Sequence, residues 1–456
     1  MKKEYKIFSL FIVIFIILAF LRFPDSRNEM KYLLIAKDSF NNGDIFILKY
    51  LGELYPDKPP LYFWGVKIFY MIFGEYSYNI SLILLSFLPF LGIVFLCLWQ
   101  LKIFNKEEYK NNFKIFMITT PFYTGMSIFL RMDMLMTFFI CLNLSIFIYL
   151  YFNQEKISKR NSLLYYLSLI LAVFSKGPVG LIFPLMIEVT FLYFERRLTF
   201  FKKLQIKIGI MIIIAFFVFW FGLILLDSNG KEYLKMMLGD QTIGRVIKSS
   251  SHSRAIYYYI FHIPFTFFPY SILYFYGIYY FIKDYKFRIK WSSFEKWIFA
   301  WTMPTLLFFS ILSGKLDIYL LPIFPGVIFL SLIFLKKINI KKVDISNFIK
   351  VSQKIIFILY ISLIVLFPVY KKFYSTKSFY KYIEENKIEK VALYHSNDLI
   401  NLKFYSPNLN VLEYKEISDL ENIEYILVKE KYLSDINKEY EKLLKREEYV
   451  LIKIKK

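Results

Sequence analysis

The sequence predicts a polytopic α-helical membrane protein of about 11 transmembrane helices, followed by a small extracytoplasmic α/β domain at the C-terminus. Three observations carry that reading. The 456 residues are 57% hydrophobic and 21% aromatic, more apolar surface than a soluble domain of this size can hide. Long apolar runs recur from residue 7 to residue 369, and basic residues gather in the short loops between them. Past about residue 370 the apolar runs shorten and charges intersperse.

The elements follow in order. Lys2, Lys3 and Lys6 precede the apolar run Ile7 to Leu21, with no small-residue cleavage signal after it, so an uncleaved first helix is expected. Further spans are expected at 79–101, 113–130, 134–151, 162–174, 178–194, 207–226, 255–281, 297–312, 318–335 and 349–370. The stretch 61–73 is short, follows two prolines and contains Lys67, which fits an interfacial helix. The transmembrane domain thus runs over 1–370 with large loops at 23–78 and 227–254, and the soluble domain over 371–456. In the latter, Lys390 to Tyr394 and Tyr425 to Lys429 read as strands, and 376–387 and 431–446 as helices.

The formal charge of +22 belongs to the loops. The tail and the loops near 102–114, 155–160, 196–207, 283–296 and 336–350 are rich in Lys and Arg and fall on alternate helix ends, which places them all on the cytoplasmic side. Orientation and attraction to anionic membrane lipid account for this charge, and nucleic-acid binding is not implied. Cys97 and Cys141 both lie in apolar runs, too few for a disulfide framework or a cysteine zinc site.

The unusual polar residues fall in the opposite, outer loops, and five patterns occur in order there. They are Asn28-Glu29-x-Lys31-Tyr32-x-x-Ile35-Ala36 with Asn42-Gly43-Asp44; Asp57-Lys58-Pro59-Pro60-Leu61-Tyr62-Phe63-Trp64; Arg131-Met132-Asp133-Met134-Leu135-Met136-Thr137; Ser175-Lys176-Gly177-Pro178-Val179-Gly180; and Gly314-Lys315-Leu316-Asp317-x-Tyr319-x-Leu321-Pro322-x-Phe324-Pro325. Ionisable groups at membrane depth are costly, so their concentration on one side points to a cavity at the outer surface. Carboxylates there can take a proton, and cations can neutralise a departing anion.

Over residues 7 to about 340 these motifs resemble the GT-C type membrane glycosyltransferases, in the branch of the lipid A aminoarabinose transferases and the protein O-mannosyltransferases. The resemblance implies an inverting transfer of a sugar from a polyprenyl-phosphate donor to an acceptor hydroxyl at the outer face of a bacterial cytoplasmic membrane. The acceptor would be a lipid A-like glycolipid, a polysaccharide or a protein. The family opens its first motif with Asp-Glu, and Asn28 stands at the aspartate, the presumed base. An amide cannot serve as a base, so Glu29, Asp133 or Asp25 would take over. Lys58, before the stiffening Pro59-Pro60, resembles the phosphate-contacting lysine, and Arg245 in Asp240-Gln241-x-x-x-Arg245 the phosphate-binding arginine. Lys176 and Lys315 beside glycines, and Tyr319, are further candidates for the carrier phosphate, and His252 resembles an element before the eighth helix. Asp57 and Asp240 would together hold a divalent cation, with oxygen donors better suited to Mg²⁺ or Mn²⁺ than to Zn²⁺. No other cofactor is implied.

Two other readings compete. A lipid-linked sugar flippase would need polar residues through the midplane, which the mostly charge-free helices do not supply. A non-catalytic, carrier-binding relative is kept open by Asn28.

Overall fold

The computed structural model describes residues 2–25, 27–39, 45–239, 253–286, 290–337, 345–406, 408–414 and 423–455. The molecule is mostly helical. Among the described residues five helical stretches are long and apolar enough to cross a bilayer: Leu61–Ile103, Met132–Phe152, Ile206–Leu225, Asp317–Leu335 and Ile345–Phe373. Tyr5–Leu21 is a shorter apolar helix. The chain is a multi-pass membrane protein, and the count of eleven spans stays an expectation.

Several expected spans are broken, for visible reasons. The run 113–130 divides into helices Lys110–Ile118 and Pro121–Met126, because Pro121 has no N–H to continue the ladder. The run 255–281 divides into Tyr258–Thr266 and Ser271–Lys286, with a cis Phe268–Pro269 peptide between them. Asp317–Ile323 is a 3-10 turn containing Pro322, and an α-helix takes over at Phe324. The expected interfacial helix forms as Leu61–Phe73 and runs through a turn at Gly74, where φ is 52°, into the next helices.

Helix Met132–Phe152 is the hub. It packs against Leu88–Ile103, Lys159–Lys176, Val179–Glu195 and the 3-10 turn Asp317–Ile323. One continuous apolar core surrounds it and takes in Phe147, Trp297 and Trp301. Cys97 and Cys141 are buried and free.

Helix Ile345–Tyr374 leads into a small α/β unit. Helix Lys377–Glu385 precedes strands β3 (Lys390–Tyr394), β4 (Asn410–Tyr414), β5 (Tyr425–Lys429), β6 (Tyr440–Arg446) and β7 (Tyr449–Ile454), while β1 (Lys49–Tyr50) and β2 (Glu53–Leu54) form a separate hairpin in the first loop. The five-stranded order is β4-β3-β5-β7-β6, with β3 parallel to β4 and β5, and β7 antiparallel to β5 and β6. The expected strands at 390–394 and 425–429 are present. The expected helix 431–446 is not: a 3-10 turn spans Glu430–Asp435 and an edge strand Tyr440–Arg446. Its Lys and Glu residues favour a helix, but pairing with the apolar β7 decides the outcome.

Candidate functional site

The first loop is anchored by a buried clasp. Helix Lys2–Leu21 ends before Arg22, and helix Glu29–Asp38 begins at Glu29, whose side chain is 0% exposed. Glu29 Oε2 is 2.8 Å from Arg22 Nη2, accepts from the Asp25 N–H at 2.8 Å and from the Tyr78 hydroxyl at 3.0 Å. Oε1 accepts from the Leu130 N–H at 2.7 Å. Arg22 also donates to the Ile128 carbonyl at 2.7 Å. A single carboxylate thus ties together the end of the first helix, the start of the next, Tyr78 and the segment before Met132–Phe152. Burial pushes the Glu29 carboxyl above the usual carboxylate range, against the opposing pull of Arg22 and the three hydrogen-bond donors. Asn28, its neighbour, is exposed, and its N–H donates to Asp25 Oδ2 at 2.9 Å.

A second cluster forms at the start of the hub helix. Arg131 is extended, and Asp133 lies in the first turn, buried. Asp133 Oδ2 is 3.3 Å from Arg131 Nε, and Oδ1 is ion-paired with Lys176 at the end of its own helix. Gly177, at φ 114°, turns the chain immediately after that lysine, a conformation that only glycine adopts freely. The Lys176 ammonium sits 4.8 Å over the ring of Tyr319, on the 3-10 turn Asp317–Ile323. Lys58 lies within Coulombic range of Asp133, and Tyr32 within range of Arg131, Asp133, Tyr319 and Asp57. Pro59 and Pro60 precede helix Leu61–Phe73 and fix where Asp57 and Lys58 enter. Both of these residues remain partly exposed.

Five expected site residues, Asp57, Lys58, Asp133, Lys176 and Tyr319, therefore gather from four loops. Glu29 stands beside them: the buried Tyr62 ring is within electrostatic reach of Glu29, Asp133 and Arg131. Lys315 is turned elsewhere. Its ammonium donates to the backbone carbonyls of Arg254, at 3.0 Å, and Leu312. Asp240, Arg245, His252 and Asn42-Gly43-Asp44 lie outside the described residues. Two participants had no site role from sequence. Arg131 was legible only as a local partner of Asp133, and Tyr32, four residues after Asn28, carried no signal separating it from packing aromatics. Among the described residues, no group of three or more His, Cys, Asp or Glu side chains could hold a metal ion. The expected partner of Asp57, Asp240, lies outside those residues, and no step is routed through a cation.

The cluster sets three cations, Lys58, Arg131 and Lys176, against two carboxylates, Asp57 and Asp133. The surplus is positive, and Tyr319 adds a hydroxyl. Such a site suits an anion that accepts several hydrogen bonds, as phosphate does.

No protein-family model matches the chain. It is 26% identical over 308 residues to an uncharacterised protein of Aquifex aeolicus (strain VF5), an alignment that covers 66% of this chain and 57% of that relative, so the chain spans little more than half its length. A second uncharacterised Aquifex aeolicus protein is 24% identical over 469 residues, covering 100% of both. Among solved structures, ArnT from Cupriavidus metallidurans, crystallised bound to undecaprenyl phosphate and in the apo state, superposes with a TM-score of 0.71 at 14% identity, covering 98% of this chain and 97% of ArnT. The chain therefore has the fold of ArnT over nearly its whole length, the GT-C type architecture that its five outer-loop motifs resemble.

Proposed function

We propose that the protein is a glycosyltransferase that moves a sugar from a polyprenyl-phosphate donor to an acceptor hydroxyl at the outer face of the membrane. The observation that carries this reading is the convergence of Lys58, Arg131, Lys176 and Tyr319 around Asp133, in a fold shared with a protein crystallised on undecaprenyl phosphate. Lys58, Arg131 and Tyr319 bind the carrier phosphate. Lys176 and Asp133 hold one another and fix Arg131. The acceptor oxygen attacks the anomeric carbon as the bond to the phosphate oxygen breaks. The electron pair leaves on the phosphate, where the cations stabilise it, and the anomeric centre inverts.

The acceptor proton needs a carboxylate that the acceptor hydroxyl can reach. Glu29 and Asp133 each have both oxygens engaged. Asp57 is partly exposed and lies within electrostatic range of Tyr32 beside the same cluster, and we assign the base to it on that accessibility, with Glu29 as a positioning residue. That differs from the sequence expectation, which gave the base to Glu29, Asp133 or Asp25 and read Asp57 as a cation ligand.

The test uses purified full-length protein in liposomes with a panel of polyprenyl-phosphate sugars. Transfer to an added acceptor, or slow hydrolysis to free carrier phosphate, supports the reading. Binding of undecaprenyl phosphate without turnover of any donor would instead identify a non-catalytic carrier-binding relative, the reading that Asn28 keeps open.

A further inference from the structure

We propose that the C-terminal α/β unit carries a saccharide-binding cleft that receives the carbohydrate part of the acceptor. This inference rests on the transferase reading and narrows its acceptor class. The cleft has a volume of about 360 Å³ and is lined by His395, Asn397, Asp398, Tyr414 and Lys429. That lies toward the lower end of the roughly 300–1,000 Å³ typical of small-ligand pockets. Its position follows from the topology. His395 follows β3 directly, Tyr414 ends β4 and Lys429 ends β5, so the cleft opens at the carboxyl ends of the three parallel strands. Open α/β sheets bind ligands there, where loops diverge and side chains from neighbouring strands meet.

The chemistry of the lining selects the ligand. His395 stacks on Tyr432 at 4.1 Å between ring centroids, and Tyr414 adds a second aromatic surface. His395 adopts φ 49°, a left-handed conformation, in the bend that joins β3 to the 3-10 turn Asn397–Phe404. Asn397 donates to Glu413 Oε2 at 3.0 Å and lies exposed at the rim.

The charges, by contrast, are already balanced. Asp398 is 3.3 Å from Arg27, and Lys429 is 3.1 Å from Glu448. Among the lining residues the one lysine, Lys429, is thus already paired. A neutral, hydroxyl-rich ring fits both halves of the lining: its C–H face lies on the aromatic rings, and its hydroxyls meet the amide and carboxylate.

Arg27 gives the cleft its relation to the reaction. The same guanidinium that holds Asp398 also pairs with Glu448, and it immediately precedes Asn28 and the Glu29 clasp. A sugar seated in the cleft is therefore tied through one residue to the loop that opens the site.

Full-length protein in nanodiscs is titrated with a panel of neutral hexose and N-acetylhexosamine oligosaccharides, alongside Ser/Thr-containing peptides, with binding read by saturation-transfer NMR. At least one oligosaccharide is expected to bind. Asn397→Ala and His395→Gly, the latter relieving rather than adding backbone strain, should each weaken it about tenfold while undecaprenyl phosphate binding and donor hydrolysis persist. Absence of any saccharide binding, binding indifferent to both substitutions, or peptide binding abolished by them would overturn the proposal. Failure of the transferase reading shows separately, as loss of donor turnover in the unsubstituted protein.

Discussion

At the scale of single residues, two of the three acids nominated from sequence as the base, Glu29 and Asp133, have structural occupations. Glu29 is a buried junction with four donors, and Asp133 is an anchor between Arg131 and Lys176. Removing one partner of a buried pair leaves an uncompensated charge, so Glu29→Ala should cost about 3–5 kcal/mol. It should be read as a large fall in thermal midpoint. Asp57→Asn should cut transfer by two orders of magnitude or more, a general-base magnitude of roughly 10²–10⁴, measured beside the thermal midpoint and carrier binding to separate lost chemistry from lost structure. If Glu29→Gln abolishes turnover while Asp57→Asn does not, the base assignment is wrong. The raised Glu29 pKa has a sign. Its contribution is fully present below the unfolded carboxyl value and is lost as pH rises through the folded one. The stability difference between wild type and Glu29→Gln should therefore shrink as pH rises through that window, measured by thermal melts across pH. The polarity of these residues was legible in the sequence. Their partners were not, because Leu130 and Tyr78 lie 101 and 49 residues from Glu29.

At the scale of elements, prolines and glycines decided more than hydropathy did. Hydropathy finds apolar runs but cannot see a backbone break inside one, which is why 113–130 and 255–281 divide. The C-terminal hairpin shows the reverse. Val391-Ala392-Leu393-Tyr394 is continuously apolar and reads as an interior strand, buried as expected. Tyr440–Arg446 is an edge strand with most of its charged side chains in solvent, and its pattern cannot be told from a polar helix. Its turn holds Glu447 at φ 49°. A left-handed non-glycine residue costs roughly 1–2 kcal/mol, so Glu447→Gly should stabilise this hairpin by up to about that amount, less the added chain entropy, seen as slower amide exchange in β6 and β7. Faster exchange would contradict it.

For the molecule as a whole, the α/β unit is not an appendage. Met30, on the helix that begins at Glu29, is buried in its core with Phe379, Ile383 and Leu402. Lys37 donates to the Phe404 carbonyl at 2.8 Å, Tyr50 to Asn401 Oδ1 at 2.9 Å, and Arg27 reaches Asp398 and Glu448. Truncation after residue 375 should therefore expose Met30, release the first loop, lower the thermal midpoint and weaken undecaprenyl phosphate binding. Unchanged carrier binding would show that the first loop holds its shape alone. The sequence by itself determined the membrane character, the two-part organisation and the placement of most site residues on the loops between apolar runs, because hydropathy and charge are local quantities that read along the chain. The tertiary structure alone decided which carboxylates are engaged, which cations share an anion site and that Met30 belongs to the core of a unit more than 340 positions later. Those are contacts between distant segments, and no local pattern encodes which of many polar side chains will meet once the helices pack. The stretch from Asn28 to Trp64 thus supplies the partly exposed Asp57 and Lys58 to the site, and Glu29 to the scaffold that holds it.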